Sequence, residues 1–215
     1  MSFDMSDKNI NFHKNEIDEL KSLKETLKLF GGEENLKMYS TGAGGAGKSH
    51  VIHSSQPFCC EFAPKIGLIF NEKAFLITAC TGSATALLNG FTIHSSAHLN
   101  QKKINDEHRE YWSDVKILII DECSFLSMND LKNLDKKLRL LRQRDMVFGG
   151  VNVIFAGDFY QLLPVGGGKP LYDCNDSLLW KEQVKIIVKL ETNHRFKDDP
   201  KLGELLDRYQ KTSGH

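Results

Sequence analysis

Leu36-Lys-Met-Tyr-Ser-Thr-Gly-Ala-Gly-Gly-Ala-Gly-Lys-Ser49 decides the fold of this chain. Residues 42–49 within it are a complete GxxxxGK[ST] run: Gly42, Ala43, Gly44, Gly45, Ala46, Gly47, Lys48 and Ser49. The glycines admit backbone angles closed to other residues, so N–H groups can turn inward onto a polyphosphate. Lys48 offers a point charge for the outer phosphates, and Ser49 a hydroxyl ligand for Mg²⁺. The flanks fit. Residues 36–40 alternate as a strand does, and Val51 and Ile52 begin an apolar helix face. A strand, a glycine loop and a helix N-terminus, in that order, make a phosphate-binding unit.

The rest of the chain repeats the strand–helix alternation. A strand is predicted at about 36–41. Further apolar runs predict buried strands at 74–79, 115–120, 151–156 and 184–190. An amphipathic helix is predicted over 15–30, with Ile17, Leu20, Leu23, Leu27 and Phe30 on one face. A short helix from Ser83 ends before Gly90. Ser127 with Asp130 reads as a capping box opening a helix striped by Leu131, Leu134, Leu138 and Leu141. Asp199-Pro200 opens a last helix. Pro57 and Pro64 break the pattern over 57–72, and the polar stretch 100–112 reads as a surface loop. The expectation is an α/β fold, a mostly parallel sheet with helices on both faces. Ligands of such sheets sit at the carboxyl ends of the strands.

The chemistry-bearing residues fall at those ends. Asp121-Glu122 follows the 115–120 strand. Asp121 is placed to hold Mg²⁺, and Glu122 to polarise an attacking water. Gln161, just past the 151–156 strand, can hydrogen-bond both water and γ-phosphate. Thr81-Gly82-Ser83 and Thr92-Ile93-His94-Ser95 suit a nucleic-acid backbone and equally suit ordinary turns. Arg195 can reach a γ-phosphate, although spacing alone fits a surface salt bridge better. The pairs His50/His53 and His94/His98 lack an HExxH setting, so no zinc site is expected. The run Lys132, Lys136, Lys137, Arg139, Arg142 and Arg144 reads as a solvated helix face.

Bulk composition sets limits. The 215 residues suffice for one α/β domain. Lys+Arg and Asp+Glu are both 28, so a nucleic-acid partner needs a local basic surface. Five cysteines without a CxxC suit free thiols in a reducing, intracellular compartment. Neither a signal peptide nor a membrane span is expected.

Taken in order over roughly residues 34–210, these pieces resemble the Pif-one/RecD-like DNA helicases of superfamily one. Residues 42–49 resemble helicase motif I. Thr78-Ala-Cys-Thr-Gly-Ser-Ala-Thr-Ala-Leu87 resembles motif Ia, and Thr92–Ser95 the DNA-contacting segment after it. Ile119-Ile-Asp-Glu-Cys-Ser124 resembles motif II. Phe148 to Val165 resembles motif III, the most specific match, and Leu190 to Phe196 resembles motif IV. The resemblance implies a RecA-like P-loop NTPase domain over 34–215, behind a lead-in and helix at 1–33. It implies ATP on Gly42–Ser49, Mg²⁺ at Ser49 and Asp121, and Lys48 on the phosphates. Glu122 would be the catalytic base, Gln161 the γ-phosphate sensor and Arg195 an arginine finger. Thr81, Gly82, Thr92 and His94 would touch single-stranded DNA.

By the same resemblance, the chain is the first motor domain of a 5′→3′ ATP-dependent DNA helicase of repair, recombination or replication. It would act in the nucleus or mitochondrion of a eukaryote. The chain ends about 20 residues after Arg195, so a second motor domain is expected in cis or in trans. Cys80 and Leu163 stand where the family commonly has proline, and no adenine-reading Gln precedes the loop. Two other readings stay open. One is a nucleotide- or DNA-binding module without turnover, and the other is a small-molecule kinase on the same loop.

Overall fold

The computed structural model describes residues 35–66, 70–88, 90–101, 103–162, 164, 168–173 and 178–190. All belong to one compact unit, Asn35–His215. The helices expected over 15–30 and after Asp199, and Arg195 itself, lie outside the described residues.

Six strands build one sheet: β1 (Lys37–Gly42), β2 (Phe75–Ala79), β3 (Phe91–Thr92), β4 (Ile117–Asp121), β5 (Asn152–Gly157) and β6 (Ile186–Leu190). Their order is β3-β2-β4-β5-β1-β6, and every pairing is parallel. The helices are α1 (Lys48–Phe62), α2 (Gly82–Leu88), α3 (Ile93–Ser96), α4 (Asp106–Asp114), α5 (Met128–Arg142) and α6 (Leu178–Gln183).

Central strands explain the composition of the apolar runs. All five residues of β4 and all six of β5 are buried. Leu118, Ile120, Val153 and Phe155 join one large cluster. Ile117, Ile119 and Ile154, which alternate with them, are buried outside it. Both faces of the sheet are therefore covered, as a parallel sheet requires. The same burial overrides the alternation expected before the phosphate loop, because Met38, Tyr39 and Ser40 are all buried in β1.

The leucine stripe packs as its spacing predicts. Leu131, Leu134, Leu138 and Leu141 of α5 are at most 1% exposed. Each stabilises the fold by roughly 1.5–3 kcal/mol. The capping box is complete: Ser127 Oγ accepts from the Asp130 amide at 3.1 Å, and Asp130 Oδ2 accepts from the Ser127 amide at 3.1 Å.

Three expectations are corrected. The stretch 100–112 is not all loop, since α4 begins at Asp106. Asn105 caps α4 by accepting from the His108 amide at 2.9 Å. Trp112, fully buried, anchors it through Nε1 to the Ser96 carbonyl at 3.0 Å. Cap and anchor outweigh the polar composition between them. Second, Pro57 does not end α1, which runs through it to Phe62. Third, the basic run is only partly solvated. Arg139 binds Asp135 and Asp145, Arg142 holds the carbonyls of Trp112 and Ser113 at the end of α4, and Lys137 donates to the Gln101 carbonyl.

Candidate nucleotide and nucleic-acid site

Strand register brings the motifs to one edge of the sheet. Thr41 pairs with Gly157, and Ala79 pairs with Asp121. The ends of β1, β2, β4 and β5 are thus level, and the segments after them share one rim.

The glycine loop is shaped for anions. Gly45 and Gly47 have φ of 90° and 92°, in the left-handed region that favours glycine. A Cβ on Gly42 would lie 2.8 Å from the Leu190 carbonyl oxygen. Gly47 is the N-cap of α1, with no side-chain cap and no acidic residue in the first turn. The first amides of α1 are therefore left for an external acceptor, at the positive end of the helix. Lys48 Nζ lies back over the loop and donates to the carbonyls of Gly42 at 2.6 Å and Ala43 at 3.2 Å. Ser49 is exposed beside it.

Asp121 ends β4 at 5% exposure, and its Oδ1 accepts from the Glu122 amide at 2.9 Å. Burial raises its pKa, and the hydrogen bond from the Glu122 amide, then the charge of Lys48, partly oppose the rise. Glu122 sits at φ 53° and ψ 42°, a left-handed conformation unusual for a residue with a Cβ. Burial raises its pKa as well, and Asp121 adds to the effect. Lys48 lowers it and Asp158 raises it further. Phosphate loop, β4 tip and β5 tip therefore share one electrostatic site. Cys80 also faces it: burial, followed by Asp121, Glu122 and Asp130, drives its thiol pKa up.

Gln161 is exposed but held. Its Nε2 donates to Asp158 Oδ2 at 3.2 Å, and its amide donates to the Asp158 carbonyl at 3.1 Å. Asp158 is 3% exposed, and its Oδ1 accepts from the Tyr160 amide at 3.0 Å. Motif reading gave Asp158 no role. Only its burial and these hydrogen bonds single it out. Next to it, Phe159 packs against Tyr39 and Trp180, with ring centroids at 4.9 and 5.7 Å.

The residues expected to meet nucleic acid gather at the β2–β3 corner, where Ala79 is level with Thr92. Their hydroxyls already have structural work. Thr81 Oγ1 accepts from the Ala84 amide at 3.3 Å, and Thr92 caps α3 through the Ser95 amide at 3.2 Å. Nothing lies within 4 Å of a Cβ placed on Gly82, so its surface is open. His94 Nε2 stands 3.9 Å from Asp130 Oδ1. His98 does not pair with His94 but stacks on His108, with centroids 3.6 Å apart.

A family model for the PIF1-like helicase matches residues 23–211. The chain is 31% identical over 223 residues to the ATP-dependent DNA helicase PIF1 of Saccharomyces cerevisiae, covering 95% of this chain and 25% of that protein. It is 29% identical over 164 residues to the human ATP-dependent DNA helicase PIF1, covering 71% and 24% respectively. Among solved structures, the Pif1 helicase from Candida albicans superposes with a TM-score of 0.75 at 27% identity, over 94% of this chain and 44% of that one. Bacteroides Pif1 bound to ssDNA gives 0.70 at 25% identity, over 93% and 46%. The chain spans about a quarter of the length of the curated relatives it matches.

Proposed function

Since this chain belongs to the PIF1-like helicase family, we propose that it is the first motor domain of an ATP-dependent DNA helicase, over residues 34–215. It couples ATP hydrolysis to movement along single-stranded DNA, with 5′→3′ polarity, in repair, recombination or replication. A second motor domain closes the site, in cis or in trans. In a eukaryote the nucleus or mitochondrion is its place of action. No helix among the described residues is long and apolar enough to cross a membrane.

One observation carries this reading. An uncapped helix N-terminus, a lysine resting on its own loop and two carboxyls raised by burial share one rim. A triphosphate complements all of them. Its oxygens accept from the free amides of α1, and Lys48 exchanges two carbonyls for the outer phosphates. Asp121, a buried carboxylate that needs a counter-charge, and the exposed Ser49 hydroxyl fit a Mg²⁺ ion. When bound, that ion neutralises charge developing on the phosphates. Glu122 accepts the proton of the attacking water, and Gln161 orients that water from the β5 tip. Arg195 follows β6 in the chain and supplies positive charge to the transition state. Thr81, Gly82, Thr92 and His94 meet the DNA strand at the β2–β3 corner.

The test is ATP hydrolysis by residues 1–215, with and without single-stranded DNA, beside Lys48→Ala and Glu122→Gln. DNA-stimulated turnover lost in both variants is the expected result. Nucleotide binding that Lys48→Ala abolishes, with no turnover in the wild type even beside a second motor domain, would replace this reading with a binding module.

A further inference from the structure

The two carboxylate oxygens of Asp130 have different neighbours. Oδ2 serves the capping box, accepting from the Ser127 amide at 3.1 Å and from Ser127 Oγ at 2.7 Å. A capping box needs one carboxylate oxygen. The other, Oδ1, faces His94 Nε2 at 3.9 Å, with both side chains about one-third exposed. One side chain thus spans from the start of α5 to α3.

The start of α5 is also a seat for the segment that follows Gln161. Ser127 forms an antiparallel bridge with Pro170, and the Met128 amide donates to the Lys169 carbonyl at 2.9 Å. A Cβ on Gly168 would come 2.6 Å from Ser127 Cβ, so this contact is backbone against side chain with no slack. Leu171, fully buried, pins the segment to the core. The near end of the same connection is fixed by Asp158. Asp130 therefore touches, through one residue each, the proposed DNA-facing segment and the anchor of the loop carrying the proposed γ-phosphate sensor.

We propose that Asp130 is a positioning residue that makes the 168–173 segment sense the occupancy of His94. This rests on the DNA-binding reading of the β2–β3 corner. A phosphodiester at His94 competes with Asp130 Oδ1 for the same imidazole edge. That gives the pair two arrangements, His94 on Asp130 or His94 on DNA. In the second, Asp130 loses its outer partner, and its hold on Ser127 changes with it. The seat of residues 168–171 on Ser127 and Met128 then changes in step.

The test is hydrogen exchange of the full 215-residue chain, with and without a saturating oligothymidylate, beside fluorescence anisotropy of the same labelled oligonucleotide. Asp130→Asn keeps an oxygen for the Ser127 amide but removes the charge facing His94. His94→Ala removes the other partner and leaves the capping box whole. In the wild type the oligonucleotide should change exchange at 168–173 as well as at 91–99. Asp130→Asn should lose the response at 168–173 while still binding at saturation, and His94→Ala should bind more weakly and show no response at 168–173 at the oligonucleotide concentration that saturates it. An unchanged response at 168–173 in the variants overturns the proposal, as does a wild type that binds with no response there. A wild type that binds no oligonucleotide overturns the DNA-binding reading and the proposal with it.

Discussion

The side-chain amide of Gln161 is parked on the buried carboxylate of Asp158, 3.2 Å away. A proposed γ-phosphate sensor is therefore already oriented, and it must exchange one acceptor for another to act. Asp158→Ala frees the Gln161 amide and leaves the Tyr160 amide without its acceptor. We expect kcat for ATP to fall about tenfold, in line with the loss of one charge-assisted hydrogen bond. Steady-state kinetics check this. On a Gln161→Ala background the same change should cost little more, since the two residues act as a unit.

Burial of Asp121 disfavours its charged form in the folded chain. Its folded pKa is raised, so the contribution to stability is present at low pH and lost as pH rises through the folded value. Asp121→Asn keeps the acceptor for the Glu122 amide and removes the buried charge. The midpoint of thermal unfolding should rise by about 2–4 °C at pH 7.5. The gain should shrink as pH falls below the Asp121 pKa. Scanning fluorimetry of both proteins across pH measures it.

As the proposed catalytic base, Glu122 must be deprotonated to take a proton from water. Its pKa is raised, first by burial and then by Asp121. On that reading the acid limb of turnover should lie at higher pH than an unperturbed glutamate would give. The pH profile of kcat reads this directly. Asp158→Asn should move the acid limb to lower pH, because one of the three raising causes, burial, Asp121 and Asp158, is gone.

Trp112 ties α4 to α3 through one hydrogen bond and a fully buried ring. Trp112→Phe removes the donor and leaves the Ser96 carbonyl to find another. A loss of about 1–2 kcal/mol in urea unfolding is expected, with nucleotide affinity unchanged.

Strong local signals made much of this protein legible in its sequence. The apolar runs become β2, β4, β5 and β6 within one or two residues of their predicted bounds. Burial on both faces demands the unbroken hydrophobicity of β4 and β5; β6, expected to be buried as well, is instead an edge strand with Ile187 66% exposed. The glycine loop and the Ser127–Asp130 box declare themselves by spacing. What stayed hidden depends on contacts distant in sequence. Helix α4 is polar along most of its length, and only the pocket closed by Ser96 and α5 makes Trp112 an anchor. Asp158 sits in a quoted motif, but its role rests on burial at the β5 tip. Likewise, Asp130 and His94 are 36 positions apart, and no periodicity links them.

The resting place of Lys48 has a consequence for what the loop will accept. Its ammonium is satisfied by two carbonyls of its own loop, at 2.6 and 3.2 Å. An incoming anion is offered a cation that already has company. A singly charged or monodentate visitor, such as chloride or acetate, gains little by breaking that arrangement. A polyphosphate, which brings several charges and fills the helix N-terminus at the same moment, gains enough to displace it. On the proposed reading, the loop is expected to select anions by valence before any base or sugar is inspected.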